Sequence, residues 1–220
     1  MNLRPPLWID RHQAGVALGQ RLAGSGPLPA DTLLLALPRG GVVVAAAMAE
    51  VLHRPVWPWS VRKIADPAWP ELALGAMAGD GTTVWRPDVD PSRQRRARRC
   101  GWLQAQEQEL QRRRDLYGDP RPEVLRGHPL IVVDDGIATG MTARAALLSL
   151  RPLQPHSLTL AIPVLDRSLL QDLLPLLDQL EALAVVDDLR AVGHWYARIE
   201  QVNDGEVLAL LARQGLPRPA

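Results

Sequence analysis

Two adjacent carboxylates, Asp134 and Asp135, follow the apolar run Leu130-Ile131-Val132-Val133 and lead into Gly136-Ile137-Ala138-Thr139-Gly140-Met141-Thr142. A buried strand, an acid pair, a loop of small residues and then a helix suit a phosphorylated sugar. The carboxylates can accept hydrogen bonds from vicinal hydroxyls. The loop amides, the hydroxyls of Thr139 and Thr142, and the positive end of the following helix can hold a phosphate.

Other chemistries that use an acid at a strand end find no support elsewhere in the chain. A nucleoside-triphosphate site of the P-loop kind needs Gly-x-x-x-x-Gly-Lys-Ser/Thr. The only lysine, Lys63, stands between Arg62 and Ile64 with no glycine beside it. Gly24-Ser25-Gly26-Pro27-Leu28-Pro29 lacks the third glycine of a dinucleotide loop and follows no strand. The histidines at 12, 53, 128, 156 and 194 have no metal-ligand spacing.

Two more segments carry anion chemistry. In Leu37-Pro38-Arg39-Gly40-Gly41 the glycines allow an anion to approach the backbone, Arg39 adds a forked cation, and a helix N-terminus follows. Arg62 and Lys63 end a strand ahead of a Pro- and Gly-punctuated stretch. That stretch is either a lid that excludes water from a reactive anomeric carbon or an ordinary surface loop with two solvated cations. Trp195 and Tyr196 either stack on a flat ligand or pack the C-terminal segment onto the sheet.

These residues stand in a recognisable order. Asp10-Arg11 with Ala14-Gly15 comes first, then Leu37–Gly41, then Val61–Ile64 with Pro70–Ala76. Arg112-Arg113 with Tyr117, the acid pair, and Ala191–Tyr196 with Gln201-Val202 follow. Over nearly the whole chain this resembles the type I phosphoribosyltransferases, in a branch of stand-alone bacterial domain proteins. It departs from that branch at 185–190, where Val-Val-Asp-Asp-Leu-Arg replaces a Pro-containing stretch.

The resemblance implies displacement at C1 of phosphoribosyl pyrophosphate by a nitrogen acceptor, such as a nucleobase, with release of pyrophosphate. Asp134, Asp135, Arg62 and Lys63 would then be catalytic. Arg39, Gly40 and Gly41 would bind pyrophosphate, residues Gly136 to Thr142 the 5′-phosphate, and Trp195 the acceptor. Magnesium would come with the substrate, touching no protein group except Asp134 and Asp135. The alternative is a regulator that binds the donor without transfer and acts through the Arg-rich helix. A diphosphotransferase making the donor is disfavoured by the lack of an ATP site.

Those side chains need a frame. Asp31–Pro38, Val56–Ile64, Leu130–Asp134, Ser157–Val164 and Leu183–Val186 read as strands, apolar throughout rather than alternating. Helices are expected over Val42–Leu52, from Asp90-Pro91 to Tyr117, over Met141–Leu150 and Val202–Ala212, and over Arg167–Leu180 with an interruption or kink at Pro175. Leu72–Trp85 reads as irregular or hairpin structure, and Gly215–Ala220 as a frayed tail. Buried strands alternating with helices make an α/β protein, a mainly parallel sheet flanked by helices, with ligands at the carboxyl ends of the strands. The resemblance adds a single domain over 1–220, its core at about 28–187, with a small hood from about 1–25 and 188–205.

Composition narrows the partners. A net charge of +1 over 220 residues gives no global footprint for nucleic acid, and no apolar run is long enough for a bilayer. The Arg-rich run at 93–99 reads first as a solvated helix face. One cysteine, Cys100, excludes an intramolecular disulfide and suits a reducing cytoplasm. Type I relatives are often dimers, so a homodimer is admitted.

Overall fold

The computed structural model describes residues 5–66, 73–99 and 101–214. The elements are α1 (Arg11–Gly24), β1 (Leu33–Ala36), α2 (Gly40–Leu52), β2 (Val56–Pro58), β3 (Val61–Ala65), β4 (Ala73–Ala78), β5 (Thr83–Trp85), α3 (Pro91–Arg99) and α4 (Trp102–Tyr117). They continue with α5 (Pro122–Leu125), β6 (Pro129–Val133), α6 (Met141–Leu150), β7 (Ser157–Asp166), α7 (Leu170–Leu173), β8 (Gln179–Val186) and α8 (Asp204–Arg213).

Five strands form a parallel sheet in the order β2-β1-β6-β7-β8, and β3-β4-β5 form a separate antiparallel sheet. Successive residues of the parallel strands point to opposite faces, and both faces are covered. Leu33, Leu35, Leu130, Val132 and Leu160 pack with Ala143, Ala146 and Leu147 of α6. Leu34, Ala36, Ile131, Val133 and Ala161 pack on the other side with Ala45 and Met48 of α2, Leu18 of α1 and Val207 of α8. β1, β6 and β7 are apolar along most of their length because each is sandwiched, whereas β8 at the sheet edge is largely half-buried.

Helix α1 lies directly on α2. A Cβ on Gly15 would stand 2.4 Å from the Val44 carbonyl oxygen, so only glycine permits the approach. Asp10 caps α1 by accepting from the Gln13 amide at 2.9 Å. The chain ahead of α1 pairs with the segment after β8. The Leu7 and Trp8 amides donate to the Trp195 carbonyl, and the Ala197 and Arg198 amides donate to the carbonyls of Trp8 and Ile9.

Three expectations change. Val56–Ile64 is two strands in different sheets. Pairing with β1 runs past Pro58 to the Trp59 amide, which donates to the Ala36 carbonyl at 2.9 Å, and Asp119 then turns the chain by accepting from the Ser60 amide and hydroxyl, each at 2.7 Å. The long charged helix is split into α3 and α4, with Gly101 at φ 70 preceding α4. The helix expected over Arg167–Leu180 is only short turns around α7. Asp178, after Pro175, instead bonds Leu158 and sets up β8 from Gln179, ahead of Leu183. Of the two readings of Leu72–Trp85, irregular or hairpin, the structure shows the hairpin, β4–β5, from Ala73 onward. The stretch 67–72 and the tail Gly215–Ala220 lie outside the described residues. Among the described residues no helix is long and apolar enough to cross a membrane.

Candidate active site

The loops after β1 and β6 meet at the carboxyl edge of the sheet. Leu37 extends the pairing by donating its amide to the Val133 carbonyl at 2.9 Å. The Pro38–Arg39 peptide is cis, and α2 starts at Gly40. A Cβ on Gly40 would lie 2.0 Å from Asp135 Oδ2, and one on Gly41 would lie 2.6 Å from the Val133 carbonyl oxygen. The two glycines are therefore the surface against which the acid pair sits.

The loop after β6 is pinned at its middle. The Ile137 amide donates to Val164 at 2.9 Å and its carbonyl accepts from Asp166 at 3.1 Å, clipping the loop to the end of β7. The Ile137 side chain is buried and both its backbone groups are spent on β7, so it offers a ligand nothing, and the Met141 side chain is buried as well. Ala138 packs beside Val164 and Val192. Gly136, at φ 153, leaves no room for a side chain beneath Val192. Gly140, at φ 71, opens α6. Thr139 is exposed and Thr142 half-buried, next to first-turn amides that helix geometry leaves without intrahelical partners. Such a combination can receive an anion.

A cavity of about 350 Å³ borders this turn, lined by Thr139, Gly140, Met141, Arg144 and Leu169 with Arg86 opposite. Arg144 Nε is buried without a hydrogen-bond partner.

The acid pair is asymmetric. Asp134 Oδ1 accepts from the Asp135 amide at 2.9 Å. Desolvation, and then the neighbouring Asp135 charge, push the Asp134 carboxyl well above the ordinary range. Asp135 Oδ2 is paired with Arg11 Nε at 2.7 Å, and its carbonyl accepts from the Tyr196 hydroxyl at 2.6 Å. Arg11 also donates to the Glu200 carbonyl at 2.7 Å. A more open cavity of about 480 Å³, lined by Arg11, Val43, Arg198, Gln201, Val202 and Leu210, flanks the far side of Arg11.

Arg62 and Lys63 do not act as a pair. Neighbours on a strand face opposite ways. Arg62 faces α4, donating to Gln106 Oε1 at 2.7 Å and lying 3.8 Å from Glu109. Burial and the adjacent Arg113 lower its pKa. Lys63 shares a face with Val61 and its cross-strand partner Ala76, the side packed against the start of α6. Of the two, Lys63 is on the side of the phosphate-type turn.

Arg39 turns toward α8, with NH1 3.7 Å from Asp204 Oδ1. Trp195 is half-buried among Trp8, Leu189 and Tyr196, and its carbonyl holds the N-terminal segment. Tyr196 is 4% exposed and stacks obliquely on Trp8 at 5.7 Å. Its residue type suggested a ligand contact, but its hydroxyl is spent on Asp135. Arg11, Tyr196 as an anchor of Asp135, and Asp204 are the site residues that sequence reasoning missed. Arg11 stood in the family pattern without a role, and Tyr196 only as a stacking or packing ring. The Asn203/Glu206 capping box was a readable signal for where α8, and hence Asp204, begins.

A parallel sheet with an acid-pair turn ahead of α6, abutted by a Gly-Gly turn ahead of α2, defines the type I phosphoribosyltransferase fold, and the chain belongs to that family. It matches no protein-family profile. Proteins from two strains of Mycobacterium tuberculosis, CDC 1551 / Oshkosh and ATCC 25618 / H37Rv, provisionally named phosphoribosyl transferases, are each 37% identical over 210 residues. The match takes in 94% of this chain and 47% of each relative, so the chain spans about half the length of these curated relatives. The crystal structure of TT1426 from Thermus thermophilus is 33% identical with a TM-score of 0.73, covering 94% of this chain and 98% of that one. The AQ2163 protein of Aquifex aeolicus, 11% identical at a TM-score of 0.53 over 85% of each chain, shares the fold.

Proposed function

We propose that the chain transfers a 5-phosphoribosyl group from phosphoribosyl pyrophosphate to a nitrogen acceptor, releasing pyrophosphate. The observation that carries this reading is the contact of the two anion-type turns through Gly40 and Asp135. A donor bearing a phosphate at one end and a pyrophosphate at the other needs two such turns within one sugar's length.

In this reading the 136–142 turn and the Thr139 and Thr142 hydroxyls anchor the 5′-phosphate. The Asp134 and Asp135 carboxylates take the ribose hydroxyls, and the α2 amides with Arg39 take pyrophosphate. The bond from C1 to the pyrophosphate oxygen breaks ahead of bond formation, the ring carries positive charge, and the acceptor nitrogen then bonds to C1 and releases its proton to the departing pyrophosphate or to water. Asp134 and Asp135 stabilise that charge, and positioning supplies the rest. Lys63, on the α6 side of β3, reaches the donor, whereas Arg62 acts through α4.

Among the described residues no three His, Cys, Asp or Glu side chains cluster as a metal cage. In this reading magnesium would enter with the donor, and Asp134, whose Oδ1 accepts from the Asp135 amide while Asp135 is paired with Arg11, would be the carboxylate to meet it. It would neutralise the leaving group. The pairing of residues 7–9 with 195–198 supports a hood over one domain. A single cysteine accords with a cytoplasmic setting.

The test is a pyrophosphate-release screen with donor, magnesium and a panel of nucleobases, recording product mass. A new mass equal to acceptor plus phosphoribosyl is expected with one of them. Donor binding with no release across purines, pyrimidines and small amines would overturn transfer in favour of donor sensing.

A further inference from the structure

Arg39 is the only cation in the Gly-Gly turn, and it is already occupied. Its guanidinium is 3.7 Å from Asp204 Oδ1, the first residue of α8. Asp204 does not depend on it. The Tyr117 hydroxyl donates to the same Oδ1 at 2.6 Å, and Arg112 NH2 donates to Oδ2 at 3.0 Å. The carboxylate also sits in the first turn of α8, where the helix dipole favours negative charge. Arg112 is in turn braced by Glu109, at 2.7 Å from its Nε. Arg39 is thus the loosest member of a cluster that stays charge-balanced without it.

We propose that Asp204 is an internal competitor of pyrophosphate for Arg39. In the free protein the carboxylate holds the guanidinium toward α8. An incoming pyrophosphate takes Arg39 over, and Tyr117 and Arg112 keep Asp204 satisfied meanwhile. On release Arg39 returns to Asp204, so pyrophosphate leaves more readily than from an unopposed arginine. Tyr117 and Arg112 are positioning residues in this scheme, setting how strongly Asp204 competes. The inference rests on reading the 38–41 turn as the pyrophosphate site.

Titration calorimetry of magnesium pyrophosphate onto the full chain separates the two. Asp204→Asn should bind pyrophosphate roughly two- to fivefold more tightly, the range spanned by a partly exposed ion pair. That gain should vanish in an Arg39→Gln background, because both changes act on one contact. Tyr117→Phe, which frees Oδ1 for Arg39 and leaves Asp204 in place, should weaken binding by a similar factor. A merely structural role for Asp204 would not tighten binding. Unchanged or weaker binding by Asp204→Asn, or a gain that persists without Arg39, overturns the proposal. Should Asp204→Asn not fold, unaltered affinity in Tyr117→Phe overturns it alone. If Arg39→Gln binds pyrophosphate as the parent does, or the parent binds none, the reading of the turn fails and this proposal falls with it.

Discussion

Arg11 Nε lies 2.7 Å from Asp135 Oδ2 and joins the first turn of α1 to the acid-pair loop across 124 positions of sequence. Their side chains are only 14% and 18% exposed, so solvent screens this pair less than a surface one. The acid pair is held in place by a residue from the first helix of the chain.

Arg11→Gln should therefore cost more than a surface pair. It leaves Asp135 without its cation beside an already destabilised Asp134 charge. A loss of about 2 kcal/mol is expected, between the exposed and fully buried limits. Scanning calorimetry should read this as a fall in Tm of roughly 4–8 °C for a domain of this size. Donor affinity should fall with it.

Gly40→Ala tests the contact of the two turns. The new Cβ would stand 2.0 Å from Asp135 Oδ2 and 3.0 Å from Arg11 Nε, so the turns must separate. Displacement on the scale of an ångström at a reacting centre costs roughly a hundredfold in rate. The expected result is a loss of at least roughly tenfold in donor affinity, with an unchanged far-ultraviolet dichroism spectrum. Gly24→Ala, at a position with nothing within 4 Å, is the control and should keep full affinity.

Stability should depend on pH through Asp119. Burial raises its pKa from 3.8 to about 6 against the opposing hydrogen bonds from Ser60. Between these values the folded chain holds a proton that the unfolded chain has released, so stability falls as pH rises from about 4 to about 6. Glu109, drawn down from 4.5 to about 2 chiefly by Arg112, works in the other direction. Its contribution is complete above 4.5 and is lost as pH falls toward 2. Asp119→Asn should flatten the decline between pH 4 and 6 in urea-midpoint measurements and leave the acid limb in place.

The parts of the site that lie close together in sequence were legible there. The Leu130–Val133 run, the acid pair and the α6 start at Met141 fall where local pattern puts them, because each depends on neighbours within a few residues. Contacts between remote positions were not legible. Nothing near Arg11 signals a partner at Asp135, and nothing near Tyr196 signals a hydroxyl aimed at a backbone oxygen 61 positions away. The separation of Arg62 from Lys63 was readable from strand alternation, yet two adjacent cations suggested joint action. The break after Trp59 depends on Asp119, a residue of another segment that holds Ser60, and so escaped a local reading.

Tyr196→Phe probes whether the 192–198 segment acts on the acid pair or merely covers it. The change removes one hydrogen bond and keeps the ring, so the stack on Trp8 survives. It leaves the Asp135 carbonyl without that donor, at a cost of about 1–2 kcal/mol. If the segment sets the loop's position, donor affinity should drop several-fold while the near-ultraviolet dichroism of Trp8 persists. Because Arg11 and Tyr196 grip the same residue by side chain and by backbone, the double variant with Arg11→Gln should lose less than the two single losses combined. Strictly additive losses in calorimetric titrations would mean that the two grips are independent, and that Asp135 is not the point through which both ends of the chain act.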